Sequence, residues 1–256
     1  MSAISPAHAA ASHDAHRDPV GARIGMWLFL FTELLLFGGM FLLYAVYRSR
    51  FSSDFHYAAQ HLDSTIGALN TLILLTSSLT MALAVTALAR GRRRAASVLL
   101  ALTIAAGLVF LVDKYFEWAH KFEHALVPGS ATLMRHTPGE NVFYGLYFAM
   151  TGLHGLHVLA GLLVLGVMLH LIARRPRRSF TVEDLATDSL RLDDAQRSVW
   201  RHHDESPARR ARITLFYDES RDVIESLLVR LENCGLYWHL VDVIWIFLFP
   251  LFYLIS

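Results

Sequence analysis

"FLFTELLLFGG", Phe29–Gly39, is the stretch on which the reading of this chain turns. It sits in an apolar run where Glu33 is the one charged residue between Arg23 and Arg48. A membrane-spanning helix needs about 20 mostly apolar residues, and this run supplies them from about Ile24 to Tyr47. A carboxyl group inside such a span is expensive, roughly 2.5–3.5 kcal/mol on insertion scales. Two readings answer that penalty. Glu33 is either an acid kept protonated by burial and hydrogen-bonded to a neighbouring helix, or a proton-relay or lipid-headgroup contact. Thr32, Gly38 and Gly39 suit close helix contact beside it.

Four further stretches have the same character: Ile66–Ala89, Ala95–Trp118, Val142–Ala173 and Leu236–Ser256. They are too long for strands and lack a period-two alternation. The chain has 256 residues, 54% of them hydrophobic and 18% charged. The charged share is below the roughly 25% of ordinary soluble domains, so composition and pattern together predict an all-α, polytopic membrane bundle of five transmembrane helices. A single cysteine, Cys234, excludes an internal disulfide framework and a cysteine-rich metal site. Residues 1–22 are small, polar and His-rich, with no apolar signal-peptide core, and read as a flexible tail.

Two basic clusters set the orientation. "RGRRR", Arg90–Arg94, separates the second and third spans, and "RRPRR", Arg174–Arg178, follows the fourth. Basic loops favour the cytoplasm, which places the N-terminus inside and the C-terminus outside. Domain limits follow: tail 1–22, four spans within 23–178, a cytoplasmic insertion 179–235, and the fifth span 236–256. Within the insertion, "FTVEDLATDSLRLDDAQRSVW" suggests a short amphipathic helix. "YDESRDVIESLLVRLENCG" suggests a second, with Val223, Ile224, Leu227, Leu228 and Leu231 on one face, Asp218 as N-cap and Gly235 as an end or kink. The insertion is either a hairpin on the membrane surface or a docking surface for a partner.

The remaining intramembrane polar residues are the candidate site. "TGLHGLHVLAG", Thr151–Gly161, places His154 and His157 three apart, with Thr151 and Gly155 forming a small-residue step for helix approach. No matching histidine pair stands on another span and no cysteine pair exists, so hydrogen bonding between helices, with Glu33 as partner, is preferred to metal or haem ligation. "KYFEWAHKF" spaces Lys114, Glu117 and Lys121 for ion pairs at a solvated helix end, with Tyr115 and Trp118 as interfacial anchors. Asn70, Thr71, Ser77 and Ser78 of the second span suit bonds across helices. His239 and Asp242 open the last span and suit a charge pair near its inner end.

Taken in order, "GMWLFLFTELLLFGG", "LNTLILLTSS", "KYFEWAHKF", "FYGLYFAMTGLHGLHVLAG" and "YWHLVDVIWIFLF" resemble subunit III of the haem-copper terminal oxidases, in its five-helix form. The resemblance implies an accessory subunit with no haem or copper of its own, those cofactors residing in partner subunits I and II. It implies bound phospholipid in a cleft between helix groups, support for proton uptake in aerobic electron transport, and residence in the bacterial cytoplasmic membrane. It implies no catalytic residue, no metal and no nucleic-acid partner in this chain. The family's buried glutamate falls on Glu33, its histidine pair on His154 and His157, and its late histidine and aspartate on His239 and Asp242. The sequence departs from the family in the long Ser179–Gly235 connection. Two alternatives stay open at this level: an accessory subunit of a nitric oxide reductase, and an independent transporter. The electron donor, cytochrome c or quinol, is set by other subunits.

Overall fold

The computed structural model describes residues 19–174, 179–182, 213–216 and 221–254. Six α-helices are described: α1 (Pro19–Arg50), α2 (Ser52–Ala59), α3 (Ser64–Ala89), α4 (Arg93–Glu123), α5 (Pro138–Ala173) and α6 (Arg221–Tyr253). All but the short α2 are long and apolar enough to cross a membrane. Two four-residue strands, β1 (Ser179–Val182) and β2 (Ile213–Phe216), pair antiparallel, with Ser179 opposite Phe216 and Val182 opposite Ile213.

Local chemistry marks the helix ends. Asp63 caps α3, its Oδ1 accepting from the backbone N–H of Thr65 at 2.8 Å and of Ile66 at 3.3 Å. Thr137 caps α5, accepting from the Glu140 N–H, and Pro138 occupies the first turn, where its missing N–H leaves no bond unmade. α3 and α4 close with the same device. After α3, Gly91 takes φ +71° while the Arg92 N–H reaches the Ala87 carbonyl and the Gly91 N–H that of Leu88. After α4, Ala125 takes φ +53° while the Leu126 N–H reaches Lys121 and the Ala125 N–H reaches Phe122. This paired-bond ending favours glycine at the left-handed residue; the second copy imposes it on an alanine.

Helix neighbours define the architecture. α3 packs on α4, α4 on α5, α5 on α6, and α6 back on α3, closing a four-helix ring. α1 lies outside the ring against α5 and α6. Trp238 and Trp245 of α6, fully buried, fill the ring with Phe110, Phe143 and Tyr147. Trp238 wedges between α4 and α5. A Cβ on Gly107 would stand 2.8 Å from its ring and one on Gly161 3.0 Å, so both positions need a residue without a side chain. At one end α2 covers α5: Phe55 stacks edge-on against Tyr44 and Phe143, and Asp54 accepts from the Gly139 N–H at 3.2 Å.

Several expectations are corrected. Helix α1 begins at Pro19, inside the segment read as a polar tail; residues 1–18 lie outside the described residues. The last helix begins at Arg221 and its candidate span at Ile224, not at Leu236, so the second helix expected within the insertion is the first part of α6. Gly235 neither ends nor opens that helix; it is buried where its missing Cβ would meet Met81 at 3.4 Å, and this packing lets a poor helix former sit mid-helix. The start of the other expected insertion helix, Phe180–Val182, is strand; residues 183–200, and Asp218, lie outside the described residues.

Candidate functional site

The site is organised along α5. Three residues turn an α-helix by 300°, about 60° short of a full circle, so His157 and His154 do not share a partner. His157 faces α1 and His154 faces α4 and α6.

His157 Nε2 lies 2.9 Å from Glu33 Oε2, and both side chains are about 85% buried. The other ring nitrogen, Nδ1, is 2.8 Å from the Leu153 carbonyl. A carbonyl only accepts, so Nδ1 carries a proton there. One further proton then lies between Nε2 and Oε2, on the imidazole or on the carboxyl. The pair is net neutral either way, which removes the uncompensated charge that made Glu33 costly. Phe37 stacks edge-on against the imidazole at 5.4 Å, and the Tyr237 hydroxyl donates to the His157 carbonyl at 3.0 Å. The partner of Glu33 is therefore His157 and not His154. Gly38 and Gly39 make no close helix contact among the described residues: nothing there lies within 4 Å of where a Cβ would stand.

His154 is fully buried in an aromatic box, with Phe110 edge-on at 5.5 Å and Trp245 at 5.3 Å. Toward the other end of α5, Tyr147 belongs to a buried polar network. Glu117 accepts from Lys114 Nζ at 2.7 Å and from the hydroxyls of Tyr147 and Tyr253, each at 2.6 Å. Lys114 also donates to the Tyr253 hydroxyl and lies over the Trp245 ring at 4.5 Å. Lys121, 4% exposed, lies 5.4 Å from the Tyr147 ring centre. The expected Lys114–Glu117 pair is thus formed, but it is interior and not a solvated helix end. The spacing was visible in sequence. The burial comes from Tyr147 and Tyr253 on two other helices, which no local pattern signals.

Across the α3–α6 seam, both tryptophan N–H groups find hydroxyls: Trp238 donates to Ser77 at 3.0 Å and Trp245 to Thr71 at 3.1 Å. Ser78 meets His239 Nδ1 at 2.6 Å, and Asn70 donates to Asp113 of α4. Of the residues expected to join helices, these four do so. The hydroxyl of Thr151 does not; it turns back to the Tyr147 carbonyl at 2.6 Å, with the small side chain buried. Gly155 does not either, since it opens onto a groove between α4 and α5. That groove, of about 460 Å³, is also lined by Leu111, Lys114, Trp118, Phe122 and Gly152. His239 and Asp242 are not helix-end residues, because α6 starts before them and His239 meets Ser78 midway along α3. His239 bonds the serine in place of the expected charge pair, and Asp242 is buried beside it. Among the described residues, no three His, Cys, Asp or Glu side chains converge as a metal site.

Comparison with known proteins supplies the frame for this geometry. The family model for cytochrome c oxidase subunit III matches residues 6–177, ending where the long connection begins. The chain is 27% identical over 244 residues to cytochrome c oxidase subunit 3 of Synechocystis sp., covering 95% of this chain and 80% of that protein. It is 27% identical over 246 residues to cytochrome bo(3) ubiquinol oxidase subunit 3 of Pseudomonas putida, covering 95% and 89%. It is 28% identical over 243 residues to cytochrome c oxidase subunit 3 of Thermostichus vulcanus, covering 94% and 91%. With five membrane-length helices in the order the motifs required, the chain belongs to the cytochrome c oxidase subunit III family.

Proposed function

We propose that this multi-pass inner-membrane protein is the non-redox subunit of a haem-copper terminal oxidase. In this reading it holds phospholipid, braces subunits I and II, and sustains proton uptake without supplying a catalytic residue. The observation that carries the reading is the Glu33–His157 bond. It fastens α1, whose outer face of Phe31, Leu34, Leu35 and Leu42 is open, to the ring at mid-membrane through a net-neutral pair. Such a bond sets the position of a face presented to lipid and partner subunits, and it leaves the redox chemistry elsewhere. In the same reading the two arginine clusters face the cytoplasm. The connection between α5 and α6 is then a cytoplasmic docking element.

The test follows oxygen consumption by the assembled oxidase over many turnovers. Glu33→Ala is expected to start at the parental rate and then decline faster, with lipid or subunit I lost in parallel; Glu33→Gln is expected to be milder. Abolition of the first turnovers with normal lipid and subunit content would make Glu33 a direct proton carrier and overturn the reading. Labelling of Arg92→Cys in a Cys234→Ser background checks the topology, with reaction expected from the cytoplasmic side alone.

A further inference from the structure

Helix α4 ends in two exposed histidines, one turn apart. The rings of His120 and His124 lie 4.3 Å apart, centre to centre, closer than the core pair Phe110–Trp245 at 4.8 Å. His124 Nδ1 lies 2.9 Å from the His120 carbonyl. The carbonyl can only accept, so Nδ1 donates and the lone pair of His124 is left on Nε2. Metal-ligating histidines are held in this manner, with the second ring N–H given to a carbonyl that fixes tautomer and orientation. Residues at i and i+4 lie on one helix face. Two imidazoles bound to one zinc ion at about 2.0–2.1 Å each place their ligating nitrogens ~3.3 Å apart. Ring centres in such a complex stand about 5 Å apart, so the exposed His120 ring, now 4.3 Å from that of His124, swings outward to share the ion.

We propose that His120 and His124 form a two-histidine site for a divalent transition-metal cation such as Zn²⁺, with water completing the coordination. No further His, Cys, Asp or Glu joins them among the described residues, so the site is an exchangeable one and not a structural zinc centre. This goes beyond the sequence reading, which assigned no metal to the chain. A bound ion would clamp the last turn of α4. Ala125 in its left-handed conformation follows that turn, and Lys121 within it reaches the buried Glu117 network.

The molecule contains its own control. His61 donates through Nδ1 to the Tyr57 carbonyl, as His124 does to His120, but the residue four positions earlier is a tyrosine and not a second ligand. The experiment uses the assembled oxidase, washed with chelator and treated with diethyl pyrocarbonate, with each histidine followed by peptide mass spectrometry. Zn²⁺ at tens of micromolar is expected to slow modification of His120 and His124 at least threefold. His61 should change by less than half, and Mg²⁺ should have no effect. His120→Asn should abolish the protection of His124. Equal protection at His61, no protection at the pair, persistent protection of His124 in His120→Asn, or failure of the pair to react without metal would each overturn the proposal. The histidines near the N-terminus do not confuse the readout, because each peptide reports separately.

Discussion

Helices α6 and α1 are nearly equal in length and both membrane-length, yet they play opposite parts. Half of the apolar window of α6 is buried within the chain, against 11% for α1. α6 fills the four-helix ring with two tryptophans and ties its polar atoms into α3. α1 keeps most of its apolar surface outward and is held by a few polar bonds, among them Glu33 to His157, Arg23 to Glu232 at 2.7 Å, Asn233 to the Ala22 carbonyl at 3.4 Å, and Tyr44 to the Leu251 carbonyl. In a lipid solvent, burial of apolar side chains does not by itself drive helices together; close packing and hydrogen bonds do. The comparison therefore separates a helix held by shape from a helix held by chemistry.

The largest expected effect lies in α6. Trp238→Ala removes the wedge that Gly107 and Gly161 accommodate and leaves Ser77 without its donor. A loss of about 3–5 kcal/mol is expected, seen as a large drop in thermal midpoint in mild detergent. A midpoint close to that of the parent would show that α6 is not the organising helix.

Next comes the buried network that joins three ring helices. Lys114→Met strands Glu117 with only tyrosine hydroxyls, and removal of one partner from a buried pair costs about 3–5 kcal/mol. Lys114→Met with Glu117→Gln should recover a substantial part of that loss. A double variant as unstable as the sum of its parts would show that the two residues do not act together.

The link of α1 should be weaker. Glu33→Ala leaves His157 Nε2 without its partner, a loss of about 1–3 kcal/mol. Combined with His157→Ala it should be less than additive. Additive losses, measured by stability of the purified subunit, would remove the bond as the fastening of α1. A loss equal to that of Trp238→Ala would erase the distinction between the two helices.

The smallest expected change is a gain. Ala125 holds the left-handed conformation that Gly91 holds at the matching position after α3. An L-residue there costs roughly 1–2 kcal/mol, so Ala125→Gly should stabilise by about 1 kcal/mol, less the added freedom of the unfolded glycine. A decrease in midpoint would mean that the Ala125 methyl makes a contact worth more than the strain.

Much of this was fixed by local sequence. Run length and apolarity determined five spans, because the hydrocarbon thickness sets the minimum helix length. Motif order determined the family. Glu33, buried among leucines, announced that it required a partner, and the nearby histidine pair narrowed the choice. The tertiary structure decided which histidine answers, since the 60° offset between His154 and His157 acquires meaning only when α1 and α4 pack on different sides of α5. It also decided that Lys114 and Glu117 are interior, through tyrosines 30 to 139 residues away. It placed His239 and Asp242 inside α6, with His239 against Ser78 of α3, because α6 begins before the apolar run that marked the span in sequence. Hydropathy records which residues tolerate lipid, residue by residue. Only the packing of helices distant in sequence determines which polar atoms meet, and hydrogen-bond partners are chosen there.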